Sequence, residues 1–145
     1  MLRRTDSIIV AVMVRAIVPL IQLYALYVHF HGHYSPGGGF QGGALLAASI
    51  LLIRISMGPR SAQAQFDPEW GVRMGALGTL IFAGTGAIAV LGGGQFLDYA
   101  HMLGFRGDAS HLRSMGITFI ETGVLFAVMG TMVAIFDRLI GEARE

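Results

Sequence analysis

Residues 31–43 read HGHYSPGGGFQGG and join one long apolar run to the next, so this segment decides how the chain folds. It contains six glycines, one proline and two histidines, but no lysine, arginine or carboxylate. Gly37, Gly38 and Gly39 can adopt backbone conformations closed to other residues and can let another backbone come very close. Pro36 fixes its own φ angle and keeps the preceding residue out of the helical region. We therefore predict that this segment, which we call the joint, adopts a specific backbone conformation between two helices rather than forming a plain turn.

The composition on either side of this joint is that of a membrane protein. The chain has 145 residues, of which 54% are hydrophobic and 13% charged, and its mean hydropathy is +0.63. A soluble domain carries about twice that charged fraction. Because there is no cysteine, a disulfide framework and thiol chemistry are excluded. The net charge of +1 is too small to favour binding to nucleic acid.

Four segments are apolar enough to cross the hydrocarbon core of a bilayer, which takes roughly 20 residues. They cover about residues 7–30, 40–57, 71–93 and 114–136. We therefore predict an all-α membrane protein with four transmembrane helices, in which residues 1–145 form a single domain.

The arginines predict how these helices are oriented. An even number of spans places both termini on one side, together with the loop at residues 58–70. That side holds seven of the ten basic residues: Arg3, Arg4, Arg54, Arg60, Arg73, Arg138 and Arg144. The other side holds Arg106 and Arg113, and Arg15 lies inside the first span. The excess of arginine on one side predicts that both termini are cytoplasmic.

Glycines recur at regular spacing in the last two spans. The fourth span has Gly116, Gly123 and Gly130 seven residues apart, and the third span has Gly71, Gly75 and Gly78. Small residues at such spacing let helices approach closely in lipid. These glycine faces could pack within one four-helix unit or against other subunits, and the spacing alone leaves both open.

Two ionisable residues, Arg15 and Glu121, lie well inside the predicted spans. At the α-helical rise, Arg15 lies about 12 Å from the cytoplasmic end of the first span, and Glu121 lies about 10 Å from the outer end of the fourth. In a hydrocarbon core about 30 Å thick, their levels differ by less than about 10 Å, which two long side chains could bridge. Three roles are open for Glu121: an ion pair with Arg15 or a hydrogen bond to Thr118 or Thr122; the lining of a hydrated ion or proton path; or a contact to another subunit. Arg54, near a helix end, is expected to extend to the cytoplasmic surface.

The histidines around the joint do not predict a metal site. His29, His31 and His33 alternate faces in an extended segment and diverge on a helix, and no cysteine or clustered carboxylate completes a set of ligands. We expect them to bond to loop carbonyls or water. No pairing of a nucleophile with a base is evident, so an independent enzyme is not expected.

Several motifs resemble the B subunit of the Mrp (Mnh) multisubunit cation/proton antiporter. They are Pro19-Leu20, Leu26-Tyr27-Val28 and the joint itself, of which PGGGFQGG is the most specific part. In the fourth span, Glu121-Thr122-Gly123-Val124 is similar to an acidic-x-Gly-Val pattern of that family. The resemblance covers nearly the whole chain, and residues 94–113 are its least similar part.

The resemblance implies a small membrane subunit without a cofactor, in a hetero-oligomer of the bacterial or archaeal plasma membrane. Such an assembly exchanges Na⁺, or another monovalent cation, for protons, and the other antiporter subunits are the expected partners. Glu121 and Arg15 are the candidates for the ion pathway. The joint is expected to be a recognition element for assembly, through His31, His33, Pro36, Gly37, Gly38, Gly39, Phe40, Gly42 and Gly43. The alternative is an accessory subunit in the membrane arm of a membrane-bound hydrogenase or a related redox-driven complex.

Overall fold

The computed structural model describes residues 7–32, 36–57, 68–101 and 108–142. These residues form four long helices and one short 3₁₀ turn at Tyr99–His101. The helices are α1 (Ile8–Phe30), α2 (Gly38–Met57), α3 (Pro68–Leu91) and α4 (Ala109–Glu142). All four are long and apolar enough to cross a membrane. The prediction of an all-α protein with four potential membrane spans is confirmed.

The bounds of the helices differ from the predicted spans in informative ways. α1 agrees closely, whereas α2 begins at Gly38, two residues before the predicted span. α3 begins at Pro68, because proline needs no hydrogen-bond acceptor in the first turn of a helix. α4 extends beyond the predicted span at both ends. Hydropathy detects only the apolar part of a helix, so the polar turns that continue α4 were missed.

The helices pack as a row rather than as a closed square. α3 packs on α4, α4 on α2, and α2 on α1, whereas α1 and α4 barely touch. The buried core lies between α2 and α4, and consists of Ala47, Ile50, Met129 and Val133. α1 therefore forms one edge of the row, with large apolar side chains exposed along it.

The regularly spaced glycines bring α3 and α4 together within this chain. A Cβ atom on Gly78 would overlap the backbone nitrogen of Ala127, and one on Gly130 would overlap the backbone nitrogen of Gly75. Gly123 faces the same helix, because its Cβ would lie 3.0 Å from the carbonyl oxygen of Gly78. Of the two open possibilities for these faces, packing within the four-helix unit is the one found.

Candidate functional site

The side chain of Glu121 lies against the joint between α1 and α2. A Cβ atom on Gly32 would lie 2.7 Å from both carboxylate oxygens, and one on Gly38 would lie 2.7 Å from Oε1. Gly38 also has a φ angle of +68°, a conformation that residues with a side chain rarely adopt. The carboxylate thus occupies a space that exists because both positions are glycine. We call Gly32, Gly38 and Gly39 the glycine cradle.

The backbone of α2 is equally close to the backbone of α4. A Cβ atom on Gly39 would overlap the carbonyl oxygen of Glu121. One turn further on, a Cβ atom on Gly43 would lie 2.6 Å from the carbonyl oxygen of Leu125. Gly42 faces the other way, toward α1, where a Cβ atom would lie 3.1 Å from the carbonyl oxygen of Ala25. The glycines of the joint therefore fix how α2 meets both of its neighbours.

His29 is the buried titratable group beside Glu121. Its residue is only 6% exposed, and its Nε2 lies 3.3 Å from the hydroxyl oxygen of Thr122. That hydroxyl donates to the carbonyl of Thr118 at 2.7 Å, so the consistent arrangement has Nε2–H of His29 donating to Thr122. Nδ1 then carries a lone pair, and it is buried without a hydrogen-bond partner in the described part of the chain. The Glu121 carboxylate interacts electrostatically with this ring.

The two ion-pathway candidates lie far apart, so the hypothesis of an Arg15–Glu121 pair is wrong. Glu121 contacts glycines beyond the end of α1, whereas Arg15 precedes Phe30 by about 22 Å along the helix. The side chain of Thr122 bonds His29 rather than Glu121. The sequence-based estimate placed the two residues within about 10 Å in depth because it measured each from the predicted end of its own span, and α4 extends beyond that span at both ends.

The predicted assembly motif divides into residues that face inward and residues that face outward. His31, Pro36 and Phe40 are exposed, and Phe40 retains 64% of its surface. His31 bonds the carbonyl of Tyr27 through Nδ1 at 2.9 Å and stacks on the Tyr27 ring. His33 lies outside the described residues. The glycines, by contrast, are largely used for packing within the chain.

A second buried polar site lies at the other end of α2 and α4. Arg54 forms an ion pair with Asp137, and its side chain is only 5% exposed. Nε and Nη2 of the arginine and Oδ2 of the aspartate have no hydrogen-bond partner among the residues the structure describes. The expectation that Arg54 extends to the membrane surface is therefore wrong. The missed signal was the aspartate in α4, which hydropathy placed just outside the span.

The described residues around Glu121 do not form a metal site. Within residues 7–32, 36–57, 68–101 and 108–142, no three histidine, cysteine or acidic side chains are grouped closely enough to hold a metal ion. What the Glu121 region offers chemically is one carboxylate and one imidazole lone pair, which can bind a proton or contact a monovalent cation.

Comparison with known proteins identifies the family of the chain. Residues 9–134 match the family described as "Domain related to MnhB subunit of Na+/H+ antiporter". Relatives from Staphylococcus aureus strains Newman, JH1 and Mu3 carry the name "Putative antiporter subunit mnhB2". Each is 24% identical over 138 residues, which cover 95% of this chain and 97% of the relative. Because the family match spans most of its length, the chain belongs to the MnhB-related family of antiporter subunits.

Proposed function

We propose that this chain is a membrane subunit of a multisubunit Na⁺/H⁺ antiporter that contributes both to assembly and to the ion path. Membership of the MnhB-related family supports the antiporter, and the relatives' names refer to an antiporter subunit. Nothing in these matches favours the alternative of a redox-driven complex. The distribution of arginines supports an orientation with both termini in the cytoplasm of a bacterial or archaeal cell.

The ion-path role rests on one observation, the carboxylate of Glu121 held in the glycine cradle beside His29. An ionised carboxylate within a membrane helix costs a few kcal/mol, so it is retained where it pairs or functions. Glu121 is half-buried and forms no ion pair in the part of the chain that the structure describes. In our proposal it binds a proton or Na⁺, and Nδ1 of His29 accepts protons from it.

The proposed assembly role rests on the exposed residues of the joint. Phe40 projects from the first turn of α2 and borders a surface groove of about 430 Å³. The groove is lined by Tyr24, Phe40, Gln41, Ala44 and Leu45. An exposed aromatic beside an apolar groove is the kind of surface that another membrane helix can cover. We call this surface the Phe40 face and propose that it contacts a neighbouring subunit.

The replacement Glu121→Gln tests the ion-path proposal, because the amide keeps the shape of the side chain and removes its charge. In the assembled complex in membrane vesicles, we expect Na⁺-dependent proton flux to fall by about tenfold or more. Native gels should show the same amount of complex. Glu69→Gln is the matched control, because Glu69 is an exposed carboxylate that pairs with Arg73 near one end of α3. Unchanged flux in Glu121→Gln would reduce Glu121 to a packing residue.

A further inference from the structure

The edge helix α1 carries a charged groove that the Glu121 site does not use. Arg15 lies exposed in it, and the groove between α1 and α2 has a volume of about 500 Å³. Its lining residues are Val14, Arg15, Val18, Pro19, Gln22, Ile53 and Met57. We call this surface the Arg15 groove.

The charge of Arg15 is uncompensated within the described ranges. The ion pairs found there are Arg54–Asp137, Arg73–Glu69 and His101–Asp98, and none of them includes Arg15. Arg15 lies about 10 Å along α1 from Ile8, with apolar residues on the intervening turns. An arginine at such a depth costs a few kcal/mol unless it is hydrated or paired.

The helix that lines this groove has a backbone acceptor without its usual helical donor. Pro19 has no N–H, so the carbonyl of Arg15, four residues earlier, receives no helical hydrogen bond. One turn beyond Pro19, the side-chain amide of Gln22 donates to Ser49 of α2 at 3.3 Å. Residues 15, 19 and 22 lie on one face of the helix. The groove therefore offers a cation, a carbonyl acceptor and an amide in a row.

We propose that the Arg15 groove receives a membrane helix of another subunit, which presents a carboxylate to Arg15 and a hydroxyl or amide donor to its carbonyl. This inference rests on the proposed function, since it needs a hetero-oligomer. A lipid phosphate lies in the headgroup region outside the hydrocarbon core, whereas Arg15 lies about 10 Å along α1 from Ile8, so a carboxylate on a neighbouring helix is the counter-charge that fits this depth. α1 is also an edge helix whose apolar side chains Leu20, Leu23 and Phe30 are exposed. A partner helix laid along it would cover the charge, the carbonyl and apolar surface together.

Charge reversal at Arg15 in the co-expressed complex is the first test. Truncating or reversing one partner of a buried, hydrogen-bonded charge pair weakens binding by more than about tenfold. We expect Arg15→Glu to lower the yield of partner subunits that copurify by at least that factor, and Arg15→Lys to retain most of it. Arg138→Glu is the matched control, because Arg138 is an exposed arginine on α4. Copurification of Arg15→Glu at the wild-type level would overturn the proposal.

Photo-crosslinking identifies what occupies the groove. With p-benzoylphenylalanine in place of Ile53 in the assembled complex, we expect a crosslink to a membrane helix of another subunit, within about one turn of an Asp or Glu. Replacing that carboxylate by Lys should restore copurification to Arg15→Glu, which also separates a lost contact from failed folding. Crosslinks to lipid alone, crosslinks only within this chain, or no rescue by the swap would overturn the proposal. A wild-type chain that copurifies without antiporter subunits would instead contradict the proposed function.

Discussion

At the scale of single residues, the glycine cradle around Glu121 depends on the absence of a Cβ atom at each of its positions. Side chains at Gly32 and Gly38 would collide with the carboxylate, and a side chain at Gly39 would collide with the backbone of α4. A carboxylate end can move aside, but a helix backbone cannot move without repacking its neighbours. Gly39 is therefore the position where substitution should be least tolerated.

We predict that Gly39→Leu destabilises the protein, because its Cβ overlaps the carbonyl oxygen of Glu121. Overpacking of a close contact costs typically about 1–3 kcal/mol, and here backbone meets backbone, so the upper end is expected. The melting temperature of the purified complex and its yield on native gels measure the effect. Ala48→Leu is the control, since Ala48 lies on the exposed face of the same helix. Equal stability of the two variants would mean that α2 and α4 do not meet at Gly39.

His29 provides a second prediction at this scale. His29→Gln keeps a donor for Thr122 but removes a group that can change its charge near neutral pH. Proton transfer by a positioned side chain contributes about 10²–10⁴-fold, so we expect Na⁺-dependent proton flux to fall at least about tenfold and to lose part of its dependence on pH. Flux in vesicles, measured as a function of pH, checks this prediction. His111→Gln, at an exposed histidine of α4, should behave as wild type. An unaltered pH profile in His29→Gln would assign the ring to packing alone.

At the scale of helices, α2 and α4 are held at two ends by different means. At one end the glycine cradle lets the helices approach, and at the other end Arg54 and Asp137 form a buried ion pair. The two contacts are about 24 Å apart along α4, a large part of a hydrocarbon core of about 30 Å. Close packing and charge pairing thus fix the same pair of helices near opposite ends.

Replacing one partner of the Arg54–Asp137 ion pair should destabilise the protein more than replacing both partners. We predict that Arg54→Met alone destabilises the protein by about 3–5 kcal/mol, because it leaves the charge of Asp137 buried without a partner. The double variant Arg54→Met with Asp137→Leu should recover most of that loss. Thermal unfolding of the purified complex measures both. Arg73→Met breaks an exposed pair and should cost less than about 1 kcal/mol. If the double variant were less stable than Arg54→Met, the two charges would stabilise the protein through contacts beyond their own pairing.

At the scale of the whole molecule, the row of helices leaves two kinds of surface for partners. The Arg15 groove lies on the edge helix, and the Phe40 face lies at the other end of the α1–α2 hairpin. α4 continues for about 18 Å beyond Glu121 toward its first residue, whereas α1 and α2 end near the level of that carboxylate. The candidate ion site therefore lies where α4 projects past the ends of α1 and α2, beside the face proposed to contact a neighbouring subunit.

The Phe40 face can be tested through assembly. We predict that Phe40→Ala lowers the amount of assembled complex at least about tenfold, because an aromatic side chain buried at an interface commonly contributes 2 kcal/mol or more. Native gels of membranes that co-express all subunits provide the measurement, with the amount of this chain in the membrane as the reference. Leu80→Ala, at an exposed apolar residue of α3, is the control. Full assembly of Phe40→Ala would remove this face from the list of subunit contacts.

The sequence alone determined the helices, because the cost of placing a polar residue in lipid is local and can be read from hydropathy along the chain. The four spans, the unusual glycine content of residues 31–43 and the resemblance to the family could all be read from the sequence. Which helices are neighbours depends on contacts between residues far apart in sequence, so only the tertiary structure decided the partners of each charge. It separated Arg15 from Glu121, paired Arg54 with Asp137 and placed His29 beside the cradle. The joint proved to be the place where three helices meet around one carboxylate.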